Sequence, residues 1–204
     1  MDGRTSRAAL VREQRRRAIF EAALHVFARK GYHGTSITDV VAEAGVARGT
    51  FYQYFESKNA IFHELVDELL REIRSVVSGV DTSPDAPPVR DQLELLVTRI
   101  LETIGQNREL CTIIFKEAVG IDATVDAKLR AFYGELRTYI QASLTLGQGL
   151  GFVRPDVDTE LAAWCVLGSI REIVAKFVAE SAESDLRTVA FRVLDFNLRG
   201  VVAT

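Results

Sequence analysis

Residues 35–58 read TSITDVVAEAGVARGTFYQYFESK, two short helix-forming segments separated by Gly45, and this arrangement leaves few ways to fold. Ser36 precedes an apolar-periodic run and Asp39 stands three residues later, the spacing of a capping box. Ile37, Val40, Val41 and Ala44 fall at i, i+3, i+4 and i+7, which gives one apolar helix face. Gly45 can take positive φ at little cost, so the chain is expected to turn there, with Val46 as a peg in the turn. A second helix over about 48–54 would bury Phe51, with Phe55 closing the unit behind it. Arg48, Gly49, Thr50, Tyr52, Gln53, Tyr54 and Lys58 stay outside: hydrogen-bond donors, one residue without a side chain, and no acid. A helix that offers such a face after a glycine turn is expected to be the recognition helix of a helix-turn-helix.

The charge distribution agrees with that expectation only when the chain is divided. The formal net charge is −3 for the whole sequence, which does not suggest a nucleic-acid binder. Up to residue 60, however, ten Lys and Arg stand against six Asp and Glu, a balance of +4. Beyond it the numbers are fifteen and twenty-two, a balance of −7. The basic part carries the recognition helix, as attraction to phosphate requires. Arg15, Arg16 and Arg17 read either as a solvated helix start or, with Arg4 and Arg7, as an arm along DNA.

The rest of the chain reads as helix. A first helix over about 7–30 would bury Ile19, Ala22, Ala23, Val26 and Phe27. A long fourth helix from about 58 past 77 has Ile61, Leu65, Leu69, Ile73 and Val76 on one stripe. Residues 79–88 hold three of the four prolines and form the natural linker. A fifth helix is expected after the linker, with Leu93, Leu96, Val97, Ile100, Leu101 and Ile104 on one face, and further helices near 108–119, 124–146, 158–179 and 185–201, the last capped by Ser184. The run 147–151, GQGLG, follows a helix rather than a strand, so it reads as a turn and not as a nucleotide-binding loop. No segment alternates with period two for long, and no sheet is expected. The expected class is therefore all-α: a helix-turn-helix domain over 1–57 and a helical domain over 58–204.

The penultimate helix is apolar almost all round, with Leu161, Trp164, Cys165, Val166, Leu167, Ile170, Ile173, Val174 and Phe177. Such a helix must be covered on every side, which in a chain of 204 residues implies a second subunit. Gly168 lies in its middle, where glycine costs about 1 kcal/mol relative to alanine, so close approach of another backbone is the expected reason. Cys165, Gly168, Glu172, Val193 and Phe196 are accordingly the candidate dimer interface.

The run GYHGTSITDVVAEAGVARGTFYQYFESKNAIF resembles the N-terminal domain of TetR-family transcriptional regulators, over about 15–65. The resemblance rests on Gly31-Tyr32, Thr35-Ser36, Ala44-Gly45-Val46, Gly49, the block Phe51-Tyr52-x-Tyr54-Phe55 and Lys58. It departs at Ala47, where the family usually has a capping Ser or Thr, and at Tyr54, where a His is common. It implies a dimeric DNA-binding regulator, most simply a repressor released from a palindromic operator by a small molecule. It also implies DNA contacts from Thr35, Ser36, Arg48, Gly49, Thr50, Tyr52, Gln53, Tyr54 and Lys58. The last two helices would pair with their mates as a four-helix bundle. A ligand would lie between the fourth and eighth helices. The lining expected there is Leu69, Leu96, Ile100, Cys111, Phe115, Phe132, Tyr133, Trp164 and Leu167, with polar points at Glu117, Tyr139 and Arg171. An apolar lining favours a hydrophobic effector. Arg171, inside an apolar helix, is expected to need Glu172 of the mate, Glu117 or a ligand carboxylate as partner.

Two other classes are weaker. An enzyme needs a converging acid, base or nucleophile, and His25, His33 and His63 come with no metal or nucleophile motif. Cys111 and Cys165 sit in apolar helical patterns without metal spacing, so no cofactor is expected. A ligand-independent architectural DNA binder would differ by its indifference to DNA sequence. No apolar run approaches the ~20 residues of a membrane span and the charged N-terminus lacks a signal-peptide core, so a cytoplasmic protein with no membrane partner is expected.

Overall fold

The computed structural model describes residues 3–117, 122–179 and 186–202, with side chains described for 7–114, 122–178 and 187–202. Among the described residues there are nine helices: α1 Gly3–Gly34, α2 Ile37–Ala44, α3 Arg48–Tyr52, α4 Lys58–Val76, α5 Val89–Gln106, α6 Arg108–Glu117, α7 Ala123–Gly149, α8 Thr159–Ala179 and α9 Leu186–Val201. They contain no sheet, only an isolated antiparallel bridge between Val153 and Val202. The expected cap Ser184 lies outside the described residues.

Packing divides the chain into a unit of residues 1–70 with 109–125 and a unit of 71–108 with 126–204. The division differs from the expected one at 57/58, because the first turns of α4 bury Ile61, Phe62, Leu65, Val66, Leu69 and Leu70 in the first unit. That unit's core is built on α1, where Ile19, Ala22, Ala23, Val26 and Phe27 are buried as their spacing predicts. α1 itself runs further at both ends than expected. Its helical course is interrupted at Gly31, whose φ of 73° is a conformation only glycine reaches cheaply. The break turns Tyr32 inward, its ring centroid 5.6 Å from that of Phe27 and 4.8 Å from that of Phe62.

In the second unit, α8 and α9 pack together and α9 also packs on α5. Asp195 on α9 accepts from Arg90 of α5 at 3.1 Å and from Arg199 at 2.7 Å. Asn197 donates to the Ser169 hydroxyl across the α8–α9 contact at 3.0 Å. α7 continues through Gly147 to Gly149, so the expected turn begins three residues later than the first glycine. Gly147 is closely packed: a Cβ there would lie 2.7 Å from Val153 Cγ2, so the valine side chain would have to shift. The chain then reverses at Gly151, whose φ is 78°. Asp158 caps α8, accepting from the Glu160 and Leu161 amides at 3.0 and 3.1 Å.

Candidate nucleic-acid interface

The local chemistry of α2 sets the interface. The Ser36 hydroxyl accepts from the Asp39 amide at 3.2 Å while the Asp39 carboxylate accepts from the Ser36 amide at 2.9 Å, a closed capping box. Lys30 donates to the same carboxylate at 2.5 Å, and this bond with those from Ser36 holds Asp39 well below the usual carboxylate range. At the other end Gly45 adopts φ 63° and ψ 33°, and the Val46 amide returns to the Val41 carbonyl at 3.1 Å. α2 is thus tied at both ends by bonds that the sequence pattern specifies.

α3 is short and is positioned from beneath. Phe51 is fully buried, 5.8 Å from the ring of Phe55. Residues 53–54 form a turn rather than helix, so α3 ends two residues before the expected limit. Ala47 provides no side-chain cap, in line with its departure from the family pattern. Arg48, Gly49, Tyr52 and Gln53 are exposed, while Thr50 and Tyr54 are partly covered. An added Cβ at Gly49 would meet nothing within 4 Å, so this point of the helix surface is open to close approach. The Arg48 guanidinium lies 6.0 Å from the centre of the Tyr52 ring. These six residues form one acid-free surface of donors.

Three expected DNA contacts are placed differently. Thr35 is 3% exposed and its hydroxyl donates to the Gly31 carbonyl at 2.7 Å, so its side chain closes the Gly31 break instead of facing outward. Ser36 is exposed, but its hydroxyl serves the cap of α2. Lys58 points its ammonium at the carbonyls of Tyr32 and Thr35, 2.8 and 2.9 Å away, and lies 4.3 Å from the Tyr32 ring centre. Partial burial pushes its pKa down. Lys58 therefore holds the α1–α2 corner, a role not visible in its sequence position. Lys58→Met should lose two charge-assisted hydrogen bonds and about 1–3 kcal/mol of stability. Its DNA-binding salt slope should change by less than the ~0.9 of one phosphate contact. Denaturant melts and salt titrations would check both, and a stable variant with a reduced slope would return Lys58 to the phosphates.

The basic cluster of α1 also splits. Arg16 pairs with Glu64 and lies over the Phe55 ring at 5.2 Å, and Arg17 pairs with Glu21 at 2.9 Å. Arg15 instead joins Arg12, Ala8, Val11, Gln53 and Tyr54 around an open groove of about 450 Å³. Arg12 escaped the sequence reading, although its spacing of three from Arg15 could have pointed to it.

The residues expected around a ligand are divided between the two units. Leu69 and Cys111 are buried in the first unit, and burial pushes the Cys111 thiol up to about 12, so it is chemically quiet there. Phe115 and Glu117 have side chains outside the described residues. In the second unit Phe132 is buried beneath the Arg74 guanidinium at 5.2 Å, and Leu96, Ile100, Tyr133, Tyr139 and Leu167 are half-buried. A cleft of about 220 Å³ at the start of α5 includes Leu96 but none of the other expected residues. Trp164 is not a lining residue within the protomer. It is 54% exposed, with Arg137 over its ring at 4.3 Å. Arg171 is likewise exposed, 5.6 Å from the Tyr133 ring centre, and so is not the buried charge its apolar neighbours suggested.

The exposed face of α8 carries Leu161, Trp164, Cys165, Gly168, Arg171 and Glu172, spaced as one helical stripe. On α9 Phe196 is 75% exposed, whereas Val193 is half-buried. Apart from its own helix, nothing among the described residues lies within 4 Å of a Cβ added at Gly168, so no contact between them accounts for a glycine there.

Comparison with known proteins places these features in a family context. Residues 19–65 match the family model described as bacterial regulatory proteins, tetR family, and residues 62–200 match the YsiA-like protein, C-terminal region. The HTH-type transcriptional repressor DhaR of Mycobacterium sp. (strain GP1) is 26% identical over 182 residues, 88% of this chain and 91% of that protein. The fatty acid metabolism regulator protein of Bacillus subtilis (strain 168) is 24% identical over 183 residues, 90% and 93% of the two chains. The crystal structure of the transcriptional regulator FadR from Bacillus subtilis with stearoyl-CoA has the same fold, with a TM-score of 0.71 at 22% identity, covering 90% of this chain and 97% of that one. No helix among the described residues is long and apolar enough to cross a membrane.

Proposed function

The chain belongs to the TetR family of bacterial regulatory proteins, a family of transcriptional regulators and not of enzymes, and we propose that it is a homodimeric repressor released from its operator by a small hydrophobic effector. The observation that carries DNA binding is the acid-free donor surface of α3, Arg48, Gly49, Thr50, Tyr52, Gln53 and Tyr54, seated on the buried Phe51. In this reading 1–57 make the DNA contacts and 58–204 serve dimerisation and effector binding. Two copies related by a two-fold axis through the α8–α9 stripe would set their recognition helices about 34–36 Å apart or a multiple of that, so the operator is a pseudo-palindrome. Such a protein works in the cytoplasm, where its operator is.

Arg48, Thr50 and Gln53 are the side chains able to reach base edges, with Gly49 permitting close approach. Glutamine matches the edge of adenine in the major groove, at about 1–3 kcal/mol per good pair. Selection from a random duplex pool should therefore yield a pseudo-palindrome for the wild type. Gln53→Ala should relax one position in each half-site. Equal affinity for random and selected duplexes at fixed salt would favour an architectural binder instead. Coincident wild-type and variant profiles would make Gln53 a backbone contact.

The effector reading is supported by the apolar residues of the second unit, Leu96, Ile100, Phe132 and Leu167, and by the stearoyl-CoA bound to the FadR relative. An effector moves the DNA equilibrium only by its differential affinity for the two states, typically about 1–3 kcal/mol, or roughly 5–150-fold. Thermal-shift screening of acyl and aromatic compounds should find a stabiliser that also lowers operator affinity. A set of stabilisers that all leave DNA affinity untouched would refute the coupling.

A further inference from the structure

Three arginines of the first unit are spent on carboxylates. Arg16 pairs with Glu64, Arg17 with Glu21, and Arg29 with Glu43 at 2.9 Å. Arg12 and Arg15 form no such pair among the described residues, although both are exposed on the same helix. They stand three residues apart on one face, so their guanidiniums share one side of α1. Two neighbouring cations without a counter-charge repel each other, and folding returns nothing for placing them together.

Their surroundings give the arrangement a direction. The groove they wall is completed by Ala8, Val11, Gln53 and Tyr54, and among the described residues none of its lining is a carboxylate. Gln53 and Tyr54 are the exit of the recognition element, so the groove adjoins the base-reading surface. Arg12 lies 6.0 Å from the centre of the Tyr54 ring, which orients a guanidinium without neutralising it.

The geometry points to this groove as a docking channel for the phosphodiester strand of duplex DNA, beside the bases that α3 reads. Arg12 and Arg15 each supply a planar fork that takes phosphate oxygens in pairs. The partner is a polymer backbone because the groove is open and continuous with α3, whereas a free phosphate or nucleotide would need enclosing walls. The assignment rests on α3 being the recognition helix. It adds contacts on the flank of each half-site, so the protected DNA extends beyond the bases that determine specificity.

The test uses the full-length protein and the duplex that the wild type enriches from a random pool. In Arg12→Ala/Arg15→Ala, log affinity should fall less steeply with log salt, by about 1.8 per subunit at 0.9 per lost contact. Arg12→Lys/Arg15→Lys should restore most of the slope, and all three proteins should melt alike. Trimming the duplex back to the selected bases should weaken the wild type by the factor that separates it from the double alanine variant. The trimmed duplex should weaken that variant no further, as a double-mutant cycle requires. A wild-type slope in the alanine variant, or equal losses on trimming for both proteins, overturns the channel while leaving the recognition helix in place. Failure of the wild type to enrich any sequence overturns the parent reading and the channel with it. Rescue of the alanine variant by inorganic phosphate, or inhibition of the wild type by it at concentrations that leave ionic strength unchanged, would identify a small-anion site instead.

Discussion

Gly168→Glu is expected to leave the protein monomeric or aggregated by sedimentation and to abolish specific operator binding. Glutamate is a better helix former than glycine by roughly 0.5–1 kcal/mol, so α8 itself should not unwind. Among the described residues, its own helix aside, nothing lies within 4 Å of the Cβ position, so the Cβ itself makes no clash there. Any damage must therefore arise where Leu161, Trp164 and Phe196, all more than half exposed, meet another surface. A carboxylate buried there without a partner loses its hydration, which is a cost of several kcal/mol per ion. Each half-site then has to be bound by a separate monomer, and the operator is no longer gripped at two points. A variant that stays dimeric with wild-type operator affinity would place the seam on another face.

Phe51→Ala should produce the complementary phenotype, a dimer that cannot read DNA. The Phe51 side chain is fully buried and its ring centroid lies 5.5 Å from that of Tyr52 and 5.8 Å from that of Phe55. Truncating a buried phenylalanine costs about 3–5 kcal/mol, against a typical total stability of about 5–15 kcal/mol. α3 is five residues long and has no side-chain cap, so it has no stability of its own to fall back on. Amide exchange should show α2 and α3 losing protection while α8 and α9 keep theirs, and operator affinity should disappear. Full operator binding by this variant would mean that α3 is held by something other than Phe51.

What could be read from the sequence was what depends on near neighbours. The Ser36–Asp39 box, the Gly45 turn and the burial of Phe51 all rest on spacings of a few residues, and each is present. The all-round apolar character of α8 was equally legible, since periodicity needs only the helix itself. Residues whose partners lie far along the chain were misplaced. Lys58 reaches carbonyls 26 and 23 residues away, and no pattern marks a carbonyl as an acceptor in waiting. Arg15 and Arg16 look alike in sequence, yet one faces a groove and the other pairs with Glu64, 48 residues on. Trp164 and Arg171 are expected at a ligand site between helices, yet both are exposed, on the same stripe of α8. The effector lining was the least legible, because it came from resemblance and not from a motif in these residues.

The first unit is not continuous in sequence: it needs residues 109–125 as well as 1–70. A nascent chain emerging at about 5–20 residues per second would wait roughly 3–11 s between the two pieces. During that wait the partners supplied by 109–125 are missing, including the buried Leu110, Ile113, Ile114 and Val125. The core of the first unit thus cannot be completed ahead of the chain that follows it. A fragment ending near residue 70 would expose apolar surface that the full chain hides, and it is a poor choice for studying DNA binding in isolation. Gene truncations or fusions that keep the helix-turn-helix but remove 109–125 should be chaperone clients before they are regulators.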